Sequence, residues 1–293
     1  MKFGAFMPNW EPFSYNLKWY SEGISTAESL GFDSFFVTDH FMRPGGALSF
    51  KAHSTIEAWT LLSYLAARTS TIKIGSCVAP IPLRSPAQLA KIVSTLDVLS
   101  NGRIIFGAGA GWDQGEFEAY GSWDSPGIRV EKTREGLELI TQLWTKEQID
   151  FNGKFYTAKK AVLEPKPIQK PHPPIWVGSY GIARRMFRIA AETAQGWFPG
   201  VSMGATEEVY ASGHQMILDR LKSNGKFTFA LLGYLKTPGT TTALPPLGTI
   251  DEATEKIEAY RKVGCDYFVA MFFPPEKYVE LMHRFAKEVM PSF

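Results

Sequence analysis

Eight short strand-like runs alternate with helical patterns from one end of this 293-residue chain to the other, and few folds accommodate that order. The candidate strands are Lys2–Phe6, Ser34–Thr38, Lys73–Val78, Ile104–Ala108, Ile175–Val177, Gly196–Phe198, Phe227–Tyr234 and Asp266–Met271. Several are continuously apolar rather than alternating, as expected of strands covered on both faces. Between them lie helical patterns near Leu17–Leu30, Ile56–Arg68, Pro86–Leu99, Val130–Trp144, Ile182–Thr193, Glu207–Lys222 and Asp251–Val263, and Glu276–Val289 closes the chain. Gly31 stands where a residue of positive φ commonly ends a helix. Thr249 and Glu252 have the spacing in which side chains satisfy the free N–H groups of a helix start. Strand and helix alternating eight times predicts parallel strands with right-handed crossovers, closed into a barrel. The expected fold is therefore α/β, a single-domain (β/α)8 TIM barrel over residues 1–293. An open six-stranded sheet with a small second domain is the competing topology.

Two insertions are expected. Residues 149–156 place Asn152-Gly153 between aromatic residues, a hairpin signal. Five prolines between Pro165 and Pro174 then force an extended path into strand five. A loop rich in Pro, Gly and Thr, 237–249, follows strand seven.

Bulk properties exclude several functions. The net charge of +2 mixes both signs with no basic run, which argues against a nucleic-acid partner. No apolar stretch suits a signal peptide, and nowhere do roughly 18 apolar residues run together, so neither secretion nor a membrane span is expected. Cys77 and Cys265 are too few for a disulfide framework or a structural zinc site. A cytoplasmic protein without a metal is the expectation.

In a barrel of this kind the site lies where the strands end. Strand two ends in Asp39-His40-Phe41, where histidine offers a proton carrier beside a carboxylate. A lone histidine is as readily a packing residue, and the strand-end position keeps both readings open. His53, His172, His214 and His283 fall in loops or on helices and read as structural. Strand five ends in Gly178-Ser179-Tyr180-Gly181 just before a helix, where small residues let backbone N–H groups approach an anion; Arg184 and Arg185 follow. A tight turn with no ligand would look the same. Gly107-x-Gly109-x-Gly111 lacks the spacing and the acidic partner of a dinucleotide fingerprint, and reads better as an open mouth where a flat ring lies against backbone. No metal-ligand cluster and no Gly-x-Ser-x-Gly nucleophile turn is present.

Longer motifs then carry a resemblance. Leu96-Asp97-Val98-Leu99-Ser100-Asn101-Gly102-Arg103, the following run through Gly111-Trp112 and Glu116-Phe117-Glu118-Ala119-Tyr120-Gly121, and Pro165-Lys166-Pro167 with Pro171 to Gly178, together resemble the bacterial luciferase-like superfamily. That resemblance implies a flavin-type cofactor at the strand C-termini, either the deazaflavin coenzyme F420 or FMN. Val37 to His40 and Ala108 to Trp112 look more like the F420 branch. It implies Asp39 and His40 against the cofactor ring, with His40 handling the substrate proton. It implies a bulge at Ser76, Cys77 and Val78, often with a non-proline cis peptide, behind the ring, with Ala110 and Gly111 beside it. The phosphate would be held by Gly178, Ser179, Tyr180 and Gly181. F420 would make the protein a hydride-transfer oxidoreductase; reduced FMN would make it a monooxygenase; a non-redox binding barrel is the third reading. Family sugar-phosphate dehydrogenases carry a glutamate directly after the glycine turn, where this chain has Trp112, which argues against that activity. Ser179 replaces a second glycine. Asn9, Trp10, Phe41 and Trp112 are expected to wall an apolar pocket for a small-molecule substrate, and a homodimer is a family expectation.

Overall fold

Strands β1 (Lys2–Met7) and β8 (Tyr267–Phe273) lie side by side, Lys2 opposite Tyr267 and Phe6 opposite Met271, and that pairing closes a ring. The computed structural model describes residues 1–42, 54–221, 225–241 and 245–293. His53, the end of the sixth helical pattern at Lys222 and part of the 237–249 loop lie outside the described residues. The remaining staves are β2 (Ser34–Val37), β3 (Lys73–Ser76), β4 (Ile104–Gly109), β5 (Ile175–Val177), β6 (Gly196–Trp197) and β7 (Thr228–Lys236). Each pairs in parallel with its sequence neighbours around the ring. The fold is a (β/α)8 TIM barrel, and the open-sheet alternative falls because β8 returns to β1.

Outside run α1 (Leu17–Ser29), α2 (Ala58–Ala66), α3 (Pro86–Leu99), α4 (Gln114–Tyr120), α5 (Pro126–Thr145), α6 (Arg184–Thr193), α7 (Glu207–Leu218), α8 (Ile250–Lys262) and α9 (Tyr278–Glu288). Local chemistry sets their ends. Ser85 accepts from Gln88 N–H at the start of α3, with Pro86 at the first helical position. The Thr249–Glu252 capping box forms, the Glu252 carboxylate accepting from Thr249 N–H at 2.8 Å. Gly31 has φ +79° just past α1, as expected.

Two apolar layers result. Phe35, Val37, Ile74 and Phe106 point outward into the core shared with the helices. Phe36, Trp176, Phe198 and Tyr267 point inward, with neighbouring ring centroids 4.9–5.6 Å apart, and fill the barrel. The N-terminal face is plugged by polar groups: the Tyr267 hydroxyl reaches Asp33 at 2.8 Å and Ser34 at 2.6 Å, and Lys2 and Lys73 pair with Asp33.

The structure departs from the sequence reading at two elements. β3 stops at Ser76 rather than Val78, and the chain pairs again with β4 at Ala79–Pro80. Between them Cys77 and Val78 turn inward onto the barrel's inner cluster, and their peptide bond is cis. The hairpin at 149–161 forms, but Asn152 pairs with Thr157, so four residues make its turn rather than Asn-Gly alone. The cause is Glu135 of α5, buried at 5% exposure, whose carboxylate accepts from the N–H groups of Lys154, Phe155 and Tyr156 at 2.7–2.9 Å. Among the described residues no helix is long and apolar enough to cross a membrane.

Candidate active site

His40 stands three residues past β2, its imidazole walled on both sides by tryptophan. Trp10 lies 5.4 Å away at 77° and Trp112 lies 6.0 Å away at 79°, both edge-to-face. The ring Nδ1 is 2.9 Å from Oε2 of Glu116, and the two side chains are 12% and 1% exposed. The other carboxylate oxygen accepts from Phe41 N–H at 2.6 Å. A carboxylate only accepts, so Nδ1 carries the hydrogen; Nε2 bonds to no protein group among the described residues and is the atom left for a ligand.

Asp39 has a different office from the one its resemblance implied. Its side chain is fully buried, and Arg84 binds it twice, at 2.7 and 2.5 Å, while Trp59 Nε1–H donates at 3.1 Å. Burial pushes this carboxyl up, against the pull of the Arg84 guanidinium. With no side-chain surface left, Asp39 fastens the loop rather than offering its carboxylate to a cofactor ring. Arg84 also lies over the Phe41 ring at 4.2 Å, so Phe41 is turned onto Arg84 and Tyr120. Asn9 is likewise a fastener. It is 0% exposed, its amide donates to the carbonyls of His40 and Ile56 at 2.9 and 2.7 Å, and its oxygen accepts from Thr38. Of the four expected pocket walls, Trp10 and Trp112 stand against His40.

The bulge after β3 backs the mouth. Ser76 is buried and donates to Gly107 O at 2.9 Å. Burial pushes the Cys77 thiol well above its ordinary pKa, so it stays neutral. The side chain of Val78 occupies the space over Gly109 and Gly178, where a built Cβ would come within 2.6 and 2.9 Å of it. Gly107 and Gly109 of β4 thus make room first for this bulge, not for a flat ring directly. Ala110 and Gly111 remain partly exposed beyond it.

The turn after β5 is more selective than its sequence suggested. Gly178 N–H is taken by Ala108 O at 2.9 Å, and Gly181 N–H by Met203 O at 2.9 Å. The N–H groups of Ser179 and Tyr180 donate to no protein acceptor among the described residues, and the Ser179 hydroxyl accepts from Trp197 Nε1–H at 2.8 Å. α6 begins directly after, with Ala183 at its N-cap and no side-chain cap. Gly181 has φ +45° and open space where a Cβ would stand. Unused donors, a helix N-terminus and an open approach together suit an anion such as a phosphate. His40, the bulge, the β4 glycines and this turn follow one another on β2 to β5, forming one continuous arc of the mouth. Among the described residues no group of His, Cys, Asp and Glu side chains is arranged to hold a metal ion.

Glu116, Arg84 and α4 were not assigned roles from sequence. Asp113-x-x-Glu116 has the same spacing as Thr249-x-x-Glu252, and Asp113 does cap α4 by accepting from Glu116 N–H at 2.9 Å. That spacing was the available signal.

Comparison with known proteins bears on the family and the fold. The family pattern described as luciferase-like monooxygenase matches residues 1–235. The chain is 32% identical over 188 residues to an F420-dependent glucose-6-phosphate dehydrogenase of Microbacterium testaceum, covering 63% of this chain and 52% of that protein. It is 34% identical over 143 residues to an FMNH(2)-dependent dimethylsulfone monooxygenase of Pseudomonas putida, covering 48% of this chain and 38% of that one. The chain thus spans less than two thirds of the length of the curated relatives it matches. Its fold is shared with an F420-dependent secondary alcohol dehydrogenase solved with an F420-acetone adduct, with a TM-score of 0.80, 19% identity and coverage of 99% of this chain and 98% of that one.

Proposed function

The chain belongs to the luciferase-like monooxygenase family, a family of oxidoreductases with F420-dependent and FMN-dependent members, and from that premise we propose that it is an F420-dependent hydride-transfer enzyme acting on a small organic substrate. The observation that carries this reading is His40 at the mouth, with Nδ1 engaged by Glu116 and Nε2 without a protein partner among the described residues. When bound, the deazaflavin supplies a ring that gives or takes a hydride and reacts poorly with oxygen. Hydride transfer to or from a carbon bearing a hydroxyl must be matched by a proton at that oxygen, and Nε2 takes or returns it. The N–H groups of Ser179 and Tyr180 with the α6 N-terminus would hold the cofactor phosphate, and the Cys77–Val78 bulge would lie against its ring. Trp10 and Trp112 exclude water from the reacting atoms and favour an apolar substrate body. The likeness to the F420-dependent relative supports the cofactor assignment.

A second reading follows from the Pseudomonas putida relative: reduced FMN and oxygen in the same mouth, giving a monooxygenase. One assay separates the two. Under anaerobic conditions, protein with F420 and a panel of alcohols and ketones is followed for loss or gain of the oxidised deazaflavin absorbance. Turnover without oxygen supports the proposal; turnover that needs both reduced FMN and oxygen supports the second reading.

A further inference from the structure

We infer that Glu116 is the positioning residue that sets the tautomer of His40, and so makes Nε2 the working atom. Its catalytic meaning rests on the proton-carrier reading above, while the tautomer itself is a property of the protein without any cofactor. Glu116 is 1% exposed and is fixed from both ends. Its own N–H is held by the Asp113 cap at 2.9 Å, and its Oε1 accepts from Phe41 N–H at 2.6 Å. Oε2 is thereby aimed at Nδ1 of His40 at 2.9 Å. Among the described residues no lysine or arginine pairs with Glu116, so the imidazole is its partner in charge as well as in hydrogen bonding.

The chemistry follows from what each atom can do. A carboxylate cannot donate, so neutral His40 must carry its hydrogen on Nδ1 and present a lone pair at Nε2. The pair has the division of labour of a catalytic base and its orienting acid, with Glu116 never touching the substrate. The His40 ring and the Phe41 N–H are joined by the same Glu116 carboxylate, so the backbone of the loop that carries His40 is fixed by the group that fixes its tautomer.

The test reads the tautomer directly. Long-range 15N–1H correlation spectra of cofactor-free protein with 15N-labelled histidine, with His40 assigned by its loss in His40→Gln, report which ring nitrogen carries hydrogen. Wild type should show the Nδ1–H form. In Glu116→Gln the amide NH2 can donate to Nδ1, so the ring should switch to the Nε2–H form; Glu116→Asp should keep the wild-type form. An Nε2–H ring in wild type overturns the inference, as does an unchanged tautomer in folded Glu116→Gln. If Glu116→Gln does not fold, the wild-type and Glu116→Asp spectra decide alone. The chemical step should fall about 10²–10⁴-fold in Glu116→Gln, because Nε2 no longer offers a lone pair. A switched tautomer with a rate within about threefold of wild type would contradict the positioning role. His40→Ala then tells the two readings apart: a slow His40→Ala beside a normal Glu116→Gln removes only Glu116, whereas normal rates in both remove His40 as the proton carrier.

Discussion

Arg84 grips Asp39 with both arms of its guanidinium, Nη1 at 2.7 Å from Oδ2 and Nη2 at 2.5 Å from Oδ1, immediately before the histidine of the site. Because the Asp39 side chain is wholly buried, this pair holds the loop from the inside. Among the described residues, removing Asp39 leaves Arg84 only Glu57, 3.4 Å away and more exposed, as a partner, so the loss falls toward the low end of the about 3–5 kcal/mol that breaking a buried pair commonly costs. Asp39→Ala should therefore lower unfolding stability by that amount in denaturant titrations. The resemblance alone would have it weaken cofactor binding instead. Arg84→Lys should recover only part of the loss, since an ammonium cannot match the two-pronged contact. A stable Asp39→Ala protein with weakened cofactor affinity would restore the ring-facing role.

Gly178 and Val78 test the floor of the turn after β5. A Cβ on Gly178 would come within 2.9 and 3.0 Å of the Val78 methyls and 3.5 Å of Phe198 O. Gly178→Leu should weaken cofactor affinity at least tenfold, about 1.4 kcal/mol, by driving the bulge out of place. Gly178→Ala should weaken it less, and adding Val78→Ala should recover part of that loss. Binding measured across the four proteins of this double-mutant cycle would show no coupling if Val78 were a bystander.

His40→Ala should slow the chemical step about 10²–10⁴-fold in single-turnover kinetics at saturating cofactor. Cofactor affinity should change little, because the turn after β5 is untouched. A histidine that only packs between Trp10 and Trp112 would lower thermal stability and leave the rate per folded molecule intact.

Glu28 gives the fold an acid sensitivity remote from the site. Partial burial pushes its carboxyl up, but the N–H groups of Ile72, Thr71 and Ser70 and the Thr71 hydroxyl outweigh it and hold the pKa at about 2, against 4.5 for a free glutamate. A carboxyl with a depressed folded pKa contributes stability that is whole above the unfolded value and disappears as pH falls through the folded one. Glu28→Gln should thus melt lower than wild type at pH 7, and the gap should shrink between about pH 4.5 and pH 2. A gap independent of pH would mean that shape, not charge, is what Gln fails to replace.

The barrel was legible because its strands are buried on both faces and leave an apolar trace, as at Ile104–Gly109 and Ile175–Val177. His40 was legible for the same reason, as a titratable residue at a strand end. What escaped depends on contacts distant in sequence. Glu116 meets His40 from 76 residues away, and Arg84 meets Asp39 from 45. Asn9 looked like a pocket wall because nothing local shows that its amide would be spent on His40 and Ile56. The turn after β5 was placed correctly in the chain, yet which of its N–H groups stay free is decided by Ala108 and Met203 on neighbouring loops.

If this mouth takes F420 for hydride transfer, titration of the purified protein with F420 and with FMN, each followed by quenching of cofactor fluorescence, reads the preference directly. F420 should bind at least tenfold more tightly than FMN, about 1.4 kcal/mol. Tighter binding of FMN, or saturable binding of neither, would contradict it.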